Sequence, residues 1–171
     1  MIISPRLRWL WLTLVTVILD RATKAWIESR PAGYFPHVVI PNIFNVVSSR
    51  NTGIAFSFFA NYSNSVTRVV LIIGALLIIG VLAWLLVAVR DGSALNAAGL
   101  ALLLGGAAGN ITDRIVHGAV TDFLEVSLPF IPLQIFNPWP TFNVADAAIT
   151  IGAVLIAFDV IFRRPKPVVG S

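Results

Sequence analysis

Two long hydrophobic runs without any charged residue dominate the middle of the chain, "VVLIIGALLIIGVLAWLLVAV" and "LNAAGLALLLGGAAGN". A helix needs about 20 apolar residues to cross the hydrocarbon core of a bilayer. The pattern therefore predicts two membrane-spanning helices, at residues 68–89 and 95–112. The short connection "RDGSA" between them predicts that they are antiparallel neighbours.

Two weaker apolar stretches flank these runs, at residues 9–27 and 142–162. The first contains Asp20 and Lys24, and the second contains Asp146. Ionisable residues inside a span are rare and often functional. We predict that both stretches also cross the membrane, which gives four spans.

The connections on one side of the predicted membrane are longer. Residues 28–65 place Val, Ile and Phe between Pro and Asn, a pattern typical of short strands and turns. Residues 113–141 contain a further possible strand, "AVTDFLEV". The predicted fold class is an all-α membrane protein with four transmembrane helices and a small extracytoplasmic β-containing subdomain, forming one domain over residues 1–171.

Composition agrees with a membrane protein. Of the 171 residues, 57% are hydrophobic and 12% are charged, far from the roughly 25% charged residues of soluble domains. The net charge of +4 is spread along the chain, which does not favour nucleic acid as a partner. Because no cysteine is present, thiol catalysis, cysteine zinc sites and disulfides are excluded.

Short basic flanks predict the orientation, because they resist translocation. They place both termini in the cytoplasm and the segments 28–65 and 113–141 outside. These flanks contain Arg6, Arg8, Arg90, Arg163, Arg164 and Lys166.

Polar residues gather near the outer ends of the predicted spans. Asn110, Asp113 and Arg114 have the spacing i, i+3 and i+4, so they share one helical face if the third helix continues. Asp122 follows Asp113 by nine residues, and the loop can return it to the same depth. The simplest interpretation of Asp113 and Arg114 is a local ion pair.

The fourth span has a similar polar stripe. Asn143, Asp146 and Thr150 lie at i, i+3 and i+7, which predicts a common face. A membrane aspartate costs about 2.5 to 3.5 kcal/mol at the bilayer centre and less near the interface. This cost argues for a role, and a structural hydrogen bond between helices is the main alternative.

Other polar residues have simpler interpretations. Asp20 and Lys24 form an i, i+4 pair, which we interpret as mainly structural. Asp159 lies near the cytoplasmic end, where solvation suffices, and His37 and His117 are expected to be solvated loop residues.

The remaining acids, Asp122 and Asp146, suggest catalysis. Two close carboxylates do not both ionise easily, so one retains a proton while the other acts as a base. Such a pair can hydrolyse an amide. Three alternatives stay open at this point: a proton-coupled carrier, a structural anchor, and a phosphotransferase in which Asp113, Asp122 and Asp146 hold a divalent ion.

The motifs "LDRATK", "RNTGIAFSF", "GGAAGNITDR", "AVTDF" and "FNVADAAITIG" occur in this order among the four spans. Together they closely resemble the lipoprotein signal peptidases, also called signal peptidase II. These are integral aspartic proteases of the bacterial cytoplasmic membrane. They remove the signal peptide of prolipoproteins on the amino side of a diacylglyceryl-modified cysteine.

The resemblance implies that Asp122 and Asp146 are the catalytic pair near the outer leaflet. It implies a set of residues that line or brace the site: Asp20, Lys24, Asn51, Gly53, Asn110, Asp113, Arg114 and Asn143. It implies no metal and no cofactor, and as partners prolipoproteins and membrane lipids. It also implies a monomer that globomycin-type cyclic peptides inhibit. The segment 127–141 looks longer than the family pattern.

Overall fold

The computed structural model describes residues 5–53, 65–88, 93–131, 133 and 137–162. A short 3-10 helix, Pro5–Trp9, leads into the first α-helix. The elements in chain order are α1 Leu10–Glu28, β1 His37–Ile40, β2 Phe44–Asn51, α2 Ser65–Ala88, α3 Ala94–Val116, β3 Val120–Val126 and α4 Val144–Phe162. The basic residues Arg90, Arg163, Arg164 and Lys166 and the "IAFSF" part of one motif lie outside the described residues.

Three of the four predicted spans have the length and composition of membrane helices. In the described part of the chain these are Arg68–Ala88, Ala94–Val116 and Val144–Phe162. Helix α1 is 19 residues long, but it contains Asp20, Arg21 and Lys24. It is a helix as predicted, and its crossing of the membrane stays a prediction. Helix α3 continues through Asp113 and Arg114, so both residues are helical.

Helix α3 is central because it packs against α1, α2 and α4. Its glycines allow close approach on two faces. A Cβ at Gly105 would lie 2.7 Å from Cβ of Thr16 in α1, and a Cβ at Gly99 would lie 2.7 Å from the backbone oxygen of Gly152 in α4. The small residues therefore permit backbone contact between helices, as in other membrane helix pairs.

Gly106→Ala is expected to destabilise the helix bundle. The added methyl group would overlap the backbone oxygen of Ala145 and Cγ1 of Ile149 in α4, and overpacking of this kind costs about 1–3 kcal/mol. Gly80→Ala in α2 is the matched control, since its methyl group meets no atom within 4 Å. Thermal unfolding of the purified variants measures the difference. Equal unfolding temperatures for the two variants would contradict the close contact between α3 and α4.

The strands predicted in the outer segments are confirmed, and they form one antiparallel sheet in the order β1-β2-β3. Strand β3 pairs with β2, with Ser49 opposite Asp122 and Arg50 opposite Thr121. The first four residues of β3 are buried. Asp122 thus belongs to a paired strand rather than to a free loop.

The sheet is tied to the start of α4 by Phe142. Its backbone oxygen accepts hydrogen bonds from the N–H groups of Phe123 and Leu124, at 3.0 and 2.9 Å, and its N–H donates to the oxygen of Leu124 at 3.0 Å. This pairing fixes the chain immediately before Asn143. It brings the strand that carries Asp122 next to the helix that carries Asp146.

Candidate active site

Asp146 lies in the first turn of α4, where Asn143 caps the helix. The side-chain oxygen of Asn143 accepts a hydrogen bond from the N–H of Asp146 at 3.0 Å. In return, the N–H of Asn143 donates to Oδ2 of Asp146 at 3.2 Å. This reciprocal cap satisfies free N–H groups at the helix start.

The predicted stripe of Asn143, Asp146 and Thr150 needs one correction. Asn143 contacts Asp146 as the cap that precedes the helix, not as a residue on a helical face. Thr150 is helical and exposed, and its hydroxyl donates to the backbone oxygen of Asp146.

Asn143 also connects the two acids. Its Nδ2 donates to Oδ1 of Asp122 at 2.7 Å, while its backbone binds Asp146. Asn110 from α3 donates to Oδ1 of Asp146 at 2.8 Å, and Asn51 from β2 donates to Oδ2 of Asp122 at 3.1 Å. The structure therefore brings Asp122 and Asp146 into one hydrogen-bonded group. The predicted convergence of polar residues from α3, β3 and α4 is observed.

The environments of the two acids differ. Asp122 is only 2% exposed, whereas Asp146 is half-buried. Burial raises the pKa of the Asp122 carboxyl to about 6, and the charge of Asp146 also raises it. The hydrogen bonds from Asn51 and Asn143 act in the opposite direction. Asp122 is thus the carboxyl group that gives up its proton less readily than an exposed aspartate does.

A buried lysine organises the layer beneath the acids. Nζ of Lys24 lies 2.8 Å from Oδ2 of Asp20 and 2.8 Å from Oδ2 of Asp113. It also donates to Oδ1 of Asn110 at 3.1 Å. Asp20 in turn accepts the N–H of Ala145 at 3.1 Å. The predicted Asp20–Lys24 pair is confirmed, and it links α1 to both α3 and α4.

The interpretation of Asp113 and Arg114 as a local ion pair is wrong. Asp113 pairs with Lys24 and with Arg21 from α1. Arg114 instead donates to the backbone oxygen of Gly53 at 2.8 Å. Adjacent helical residues point about 100° apart, so each side chain finds its partner on a different neighbouring element.

Gly53 belongs to a tight turn after β2. Its N–H donates to Oδ1 of Asn51 at 3.0 Å, and its oxygen accepts from Arg114. The turn therefore aims the amide of Asn51 at Asp122. Both residues lie at the site, as the resemblance implies.

Three residues of this network were missed by the sequence analysis: Arg21, Glu28 and Thr121. Thr121 is buried and hydrogen-bonded on every side. Its hydroxyl donates to Oε1 of Glu28 at 2.7 Å, its N–H donates to Asp113 at 3.3 Å, and its oxygen accepts from Asn143 at 3.4 Å. Arg21 follows Asp20 in the motif "LDRATK", so the sequence contained an indication that it belongs to the network. The role of Glu28 depends on a contact across 93 residues.

One interpretation of an isolated polar residue needs correction. Asp159 is buried rather than solvated, and it accepts a hydrogen bond from Ser93, the cap of α3. His117 is exposed, as expected, and it caps the end of α3, where its Nδ1 lies 3.9 Å from an oxygen of Glu28 and 3.8 Å from one of Asp113. His37 begins β1 and is exposed. Within the described ranges, no three His, Asp or Glu side chains are grouped as ligands for a metal ion.

The fold and the site together define a class: a helical membrane enzyme with an aspartate pair at one end of its bundle. The family model for signal peptidase II matches residues 12–162. The chain belongs to the signal peptidase II family, which comprises the aspartic peptidases that process prolipoproteins.

Comparison with individual proteins agrees with this family assignment. The chain is 40% identical over 163 residues to a lipoprotein signal peptidase of Pseudomonas paraeruginosa, covering 94% of this chain and 91% of the relative. It is 43% identical over 164 residues to that of Yersinia pseudotuberculosis, covering 92% and 89%. It is also similar to a solved bacterial membrane enzyme, with 27% identity, a TM-score of 0.77 and 94% coverage of each chain.

Proposed function

We propose that this protein hydrolyses the peptide bond on the amino side of a diacylglyceryl-modified cysteine in prolipoproteins, with Asp122 and Asp146 as the catalytic pair. The observation that carries the proposal is that Asn143 binds both acids: its side-chain Nδ2 donates to Asp122 at 2.7 Å, and its backbone N–H donates to Asp146 at 3.2 Å. Family membership supports the substrate class. The geometry supports the choice of these two carboxyl groups.

In the proposed reaction Asp122 carries the proton and Asp146 is ionised. Asp146 takes a proton from a water molecule, whose oxygen attacks the scissile carbonyl carbon while Asp122 protonates the carbonyl oxygen. A neutral gem-diol forms. It collapses when Asp146 returns its proton to the amide nitrogen, Asp122 takes a proton from a gem-diol hydroxyl and the C–N bond breaks, which yields a carboxylic acid, a free amine and the original protonation state of the pair.

The assignment of the proton rests on the surroundings of each acid. Burial raises the pKa of Asp122, and a substrate helix that displaces more water would raise it further. Asp146 is the more exposed member of the pair, which supports its role as the acid that meets the attacking water. Asn51, Asn110 and Asn143 then hold the acids in place through amide hydrogen bonds.

The remaining site residues form a rigid support for this pair of acids. Asp20, Lys24 and Asp113 hold α1, α3 and α4 at fixed separations, while Gly53 provides the turn that positions Asn51. Fixed donors of this kind lower the barrier because they need no reorganisation during the reaction.

The deciding experiment incubates the purified protein with a diacylglyceryl-modified prolipoprotein and identifies the products by mass. We expect a mature chain that begins at the modified cysteine. The same reaction in excess chelator should proceed unchanged, because the mechanism uses no metal ion. Cleavage at another bond, or no cleavage, contradicts the proposal. We further propose that the protein acts as a monomer and is inhibited by globomycin-type cyclic peptides.

We propose that all four helices cross the bacterial cytoplasmic membrane, with both termini in the cytoplasm and the site near the outer leaflet. Reporter fusions test this orientation. A periplasm-active reporter should give signal after Ser63 and none after Ser171, because the basic flanks at the chain ends resist translocation. The reverse pattern would overturn the orientation and the placement of the site.

Arg114→Ala is expected to lower turnover more than it lowers stability. The arginine holds the turn at Gly53 and lies in the field of both acids, so its loss misplaces Asn51 and removes positive charge beside Asp146. The measurement compares kcat at equal membrane abundance. Arg8→Ala, which changes an exposed arginine far from the site, is the control. Wild-type turnover of Arg114→Ala would remove this residue from the site.

A further inference from the structure

A cavity, which we call the outer pocket, lies beyond the end of α1. It has a volume of about 350 Å³ and is lined by residues that include Glu28, Arg30, Phe35, Ser48, Arg50 and Thr121. Neither catalytic acid lines it. Two arginines, a serine and a threonine make its lining largely polar.

The outer pocket lies on the opposite face of the sheet from the catalytic acids. In an antiparallel pair, residues directly opposite each other share a face, and successive residues alternate between faces. Arg50 is opposite Thr121, and Ser49 is opposite Asp122. Arg50 and Thr121 therefore face the outer pocket, whereas Ser49 and Asp122 face the other side. The two sites are separated by the thickness of the sheet.

The outer pocket favours an anion. In the described part of the chain, the guanidinium of Arg50 has no hydrogen bond or ion pair, and Arg30 contacts only aromatic rings, 4.5 Å from the centroid of Trp26 and 5.3 Å from that of Tyr34. Glu28 is the one acid in the lining. It already accepts the hydroxyl of Thr121, so the two arginines retain positive charge without an anionic partner.

The position of these arginines matches the headgroup layer of a membrane. Trp26, Tyr34 and Phe35 form edge-to-face contacts with centroid separations between 5.0 and 6.4 Å. Trp26 and Tyr34 are 44% and 43% exposed. Exposed aromatic residues at the end of a membrane helix are typical of the interface, where lipid phosphates also lie.

We propose that the outer pocket binds the phosphate group of an anionic phospholipid. Arg50 and Arg30 would bind the phosphate oxygens, Ser48 would donate to them, and the aromatic cluster would lie against the glycerol region. A lipid phosphate is favoured over an acidic peptide because the pocket adjoins the end of α1, whose exposed apolar side chains, among them Leu14, Ile18 and Trp26, would meet acyl chains once α1 crosses the membrane as proposed. This site is additional to the proposed catalytic function and is tested by binding rather than by cleavage.

The test measures thermal unfolding of the whole protein in a neutral detergent during titration with a short-chain phosphatidylglycerol. We expect a saturable rise in unfolding temperature, and a smaller one with the matching phosphatidylcholine. Arg50→Gln and Arg30→Gln should each weaken the apparent affinity roughly fivefold, because one arginine near an anionic surface contributes about that factor. Arg8→Gln is the matched control, since Arg8 also stacks on a tryptophan, at 5.8 Å, at the far end of α1.

The same titration is repeated with inorganic phosphate and with an acidic peptide. An equal rise in unfolding temperature with inorganic phosphate would overturn the lipid assignment. So would a rise that occurs with the peptide, depends on Arg50 and is absent with the lipids. Equal responses to the two lipids would do the same. Should Arg50→Gln fail to fold, Arg50→Lys and native mass spectrometry of the wild-type protein decide: retention of phosphatidylglycerol over phosphatidylcholine supports the site, and equal retention rejects it.

Discussion

Asp122→Asn and Asp146→Asn are each expected to abolish cleavage of a lipidated prolipoprotein while the protein still inserts and accumulates. Asparagine preserves the shape of the side chain but neither accepts the proton of water nor shares one. A loss of ~10⁴-fold or more corresponds to a barrier raised by about 5.5 kcal/mol. The double variant should be about as inactive as either single variant, because residues that act as one unit are not additive.

Stability measurements distinguish a loss of cleavage activity in the Asp122→Asn variant from a loss of folded protein. The pKa of Asp122 rises from 3.8 to about 6 in the folded protein, so the folded state loses stability as the pH increases through that range. The Asp122→Asn substitution removes the free-energy cost of ionising this buried carboxyl group in the folded state. The variant should therefore unfold at the same or a higher temperature than the wild-type protein at about pH 8, where the wild-type carboxyl is ionised.

Suitable controls come from the same elements. Glu125→Gln changes another β3 carboxylate, which binds Asn45 at 2.8 Å and has no hydrogen bond to the network; it should retain activity. Asp159→Asn is a poorer control, since Asp159 binds the cap of α3. Asn143→Ala should reduce activity less than the loss of either acid. If Asp122→Asn stays active while Asp113→Asn does not, the catalytic pair is wrongly assigned.

Lys24→Met is expected to give the largest loss of stability. The ammonium group is fully buried and lies 2.8 Å from each of two buried carboxylates, Asp20 and Asp113. Removing one partner of a buried ion pair costs about 3–5 kcal/mol, because the remaining charge is left without compensation. Cleavage activity should fall as well, since Asn110 loses its contact with Lys24.

Thermal unfolding in detergent measures this effect, and Arg21→Met is the matched comparison. Arg21 also pairs with Asp113, but it is 29% exposed and its loss leaves Lys24 in place. We expect a clearly smaller shift for Arg21→Met. A double variant, Lys24→Met with Asp20→Asn, should recover part of the loss. Equal unfolding temperatures for wild type and Lys24→Met would refute the structural role of this lysine.

The elements that depend on local pattern were predictable from the sequence. Uncharged runs identified α2 and α3, and the motifs "AVTDF" and "FNVAD", through their resemblance to the signal peptidase II family, pointed to Asp122 and Asp146 as a pair. The i, i+4 spacing also predicted the Asp20–Lys24 pair. These features depend on periodicity and on short motifs, both of which are present in the linear chain.

Other contacts depend on packing that the linear chain does not contain. Asp113 and Arg114 are neighbours in sequence, yet their partners come from α1 and from the turn at Gly53. Asp159 is a charged residue near the end of a helix, where solvation is expected, but the start of α3 buries it. Asn143 was expected on a helical face, although the pairing of Phe142 with β3 ends the extended chain there and makes Asn143 the cap.

The pairing of Phe142 with Leu124 has a consequence for the segment that separates the two acids. Both ends of this segment are anchored: Ser127 donates to Ile43 at 2.8 Å, and Trp139 donates to Val126 at 2.7 Å. Because both anchors lie at the sheet, a change in the number of residues between Ser127 and Trp139 should leave the distance between Asp122 and Asp146 unchanged, at a loop-closure cost of only about 0.6 kcal/mol for each doubling of length.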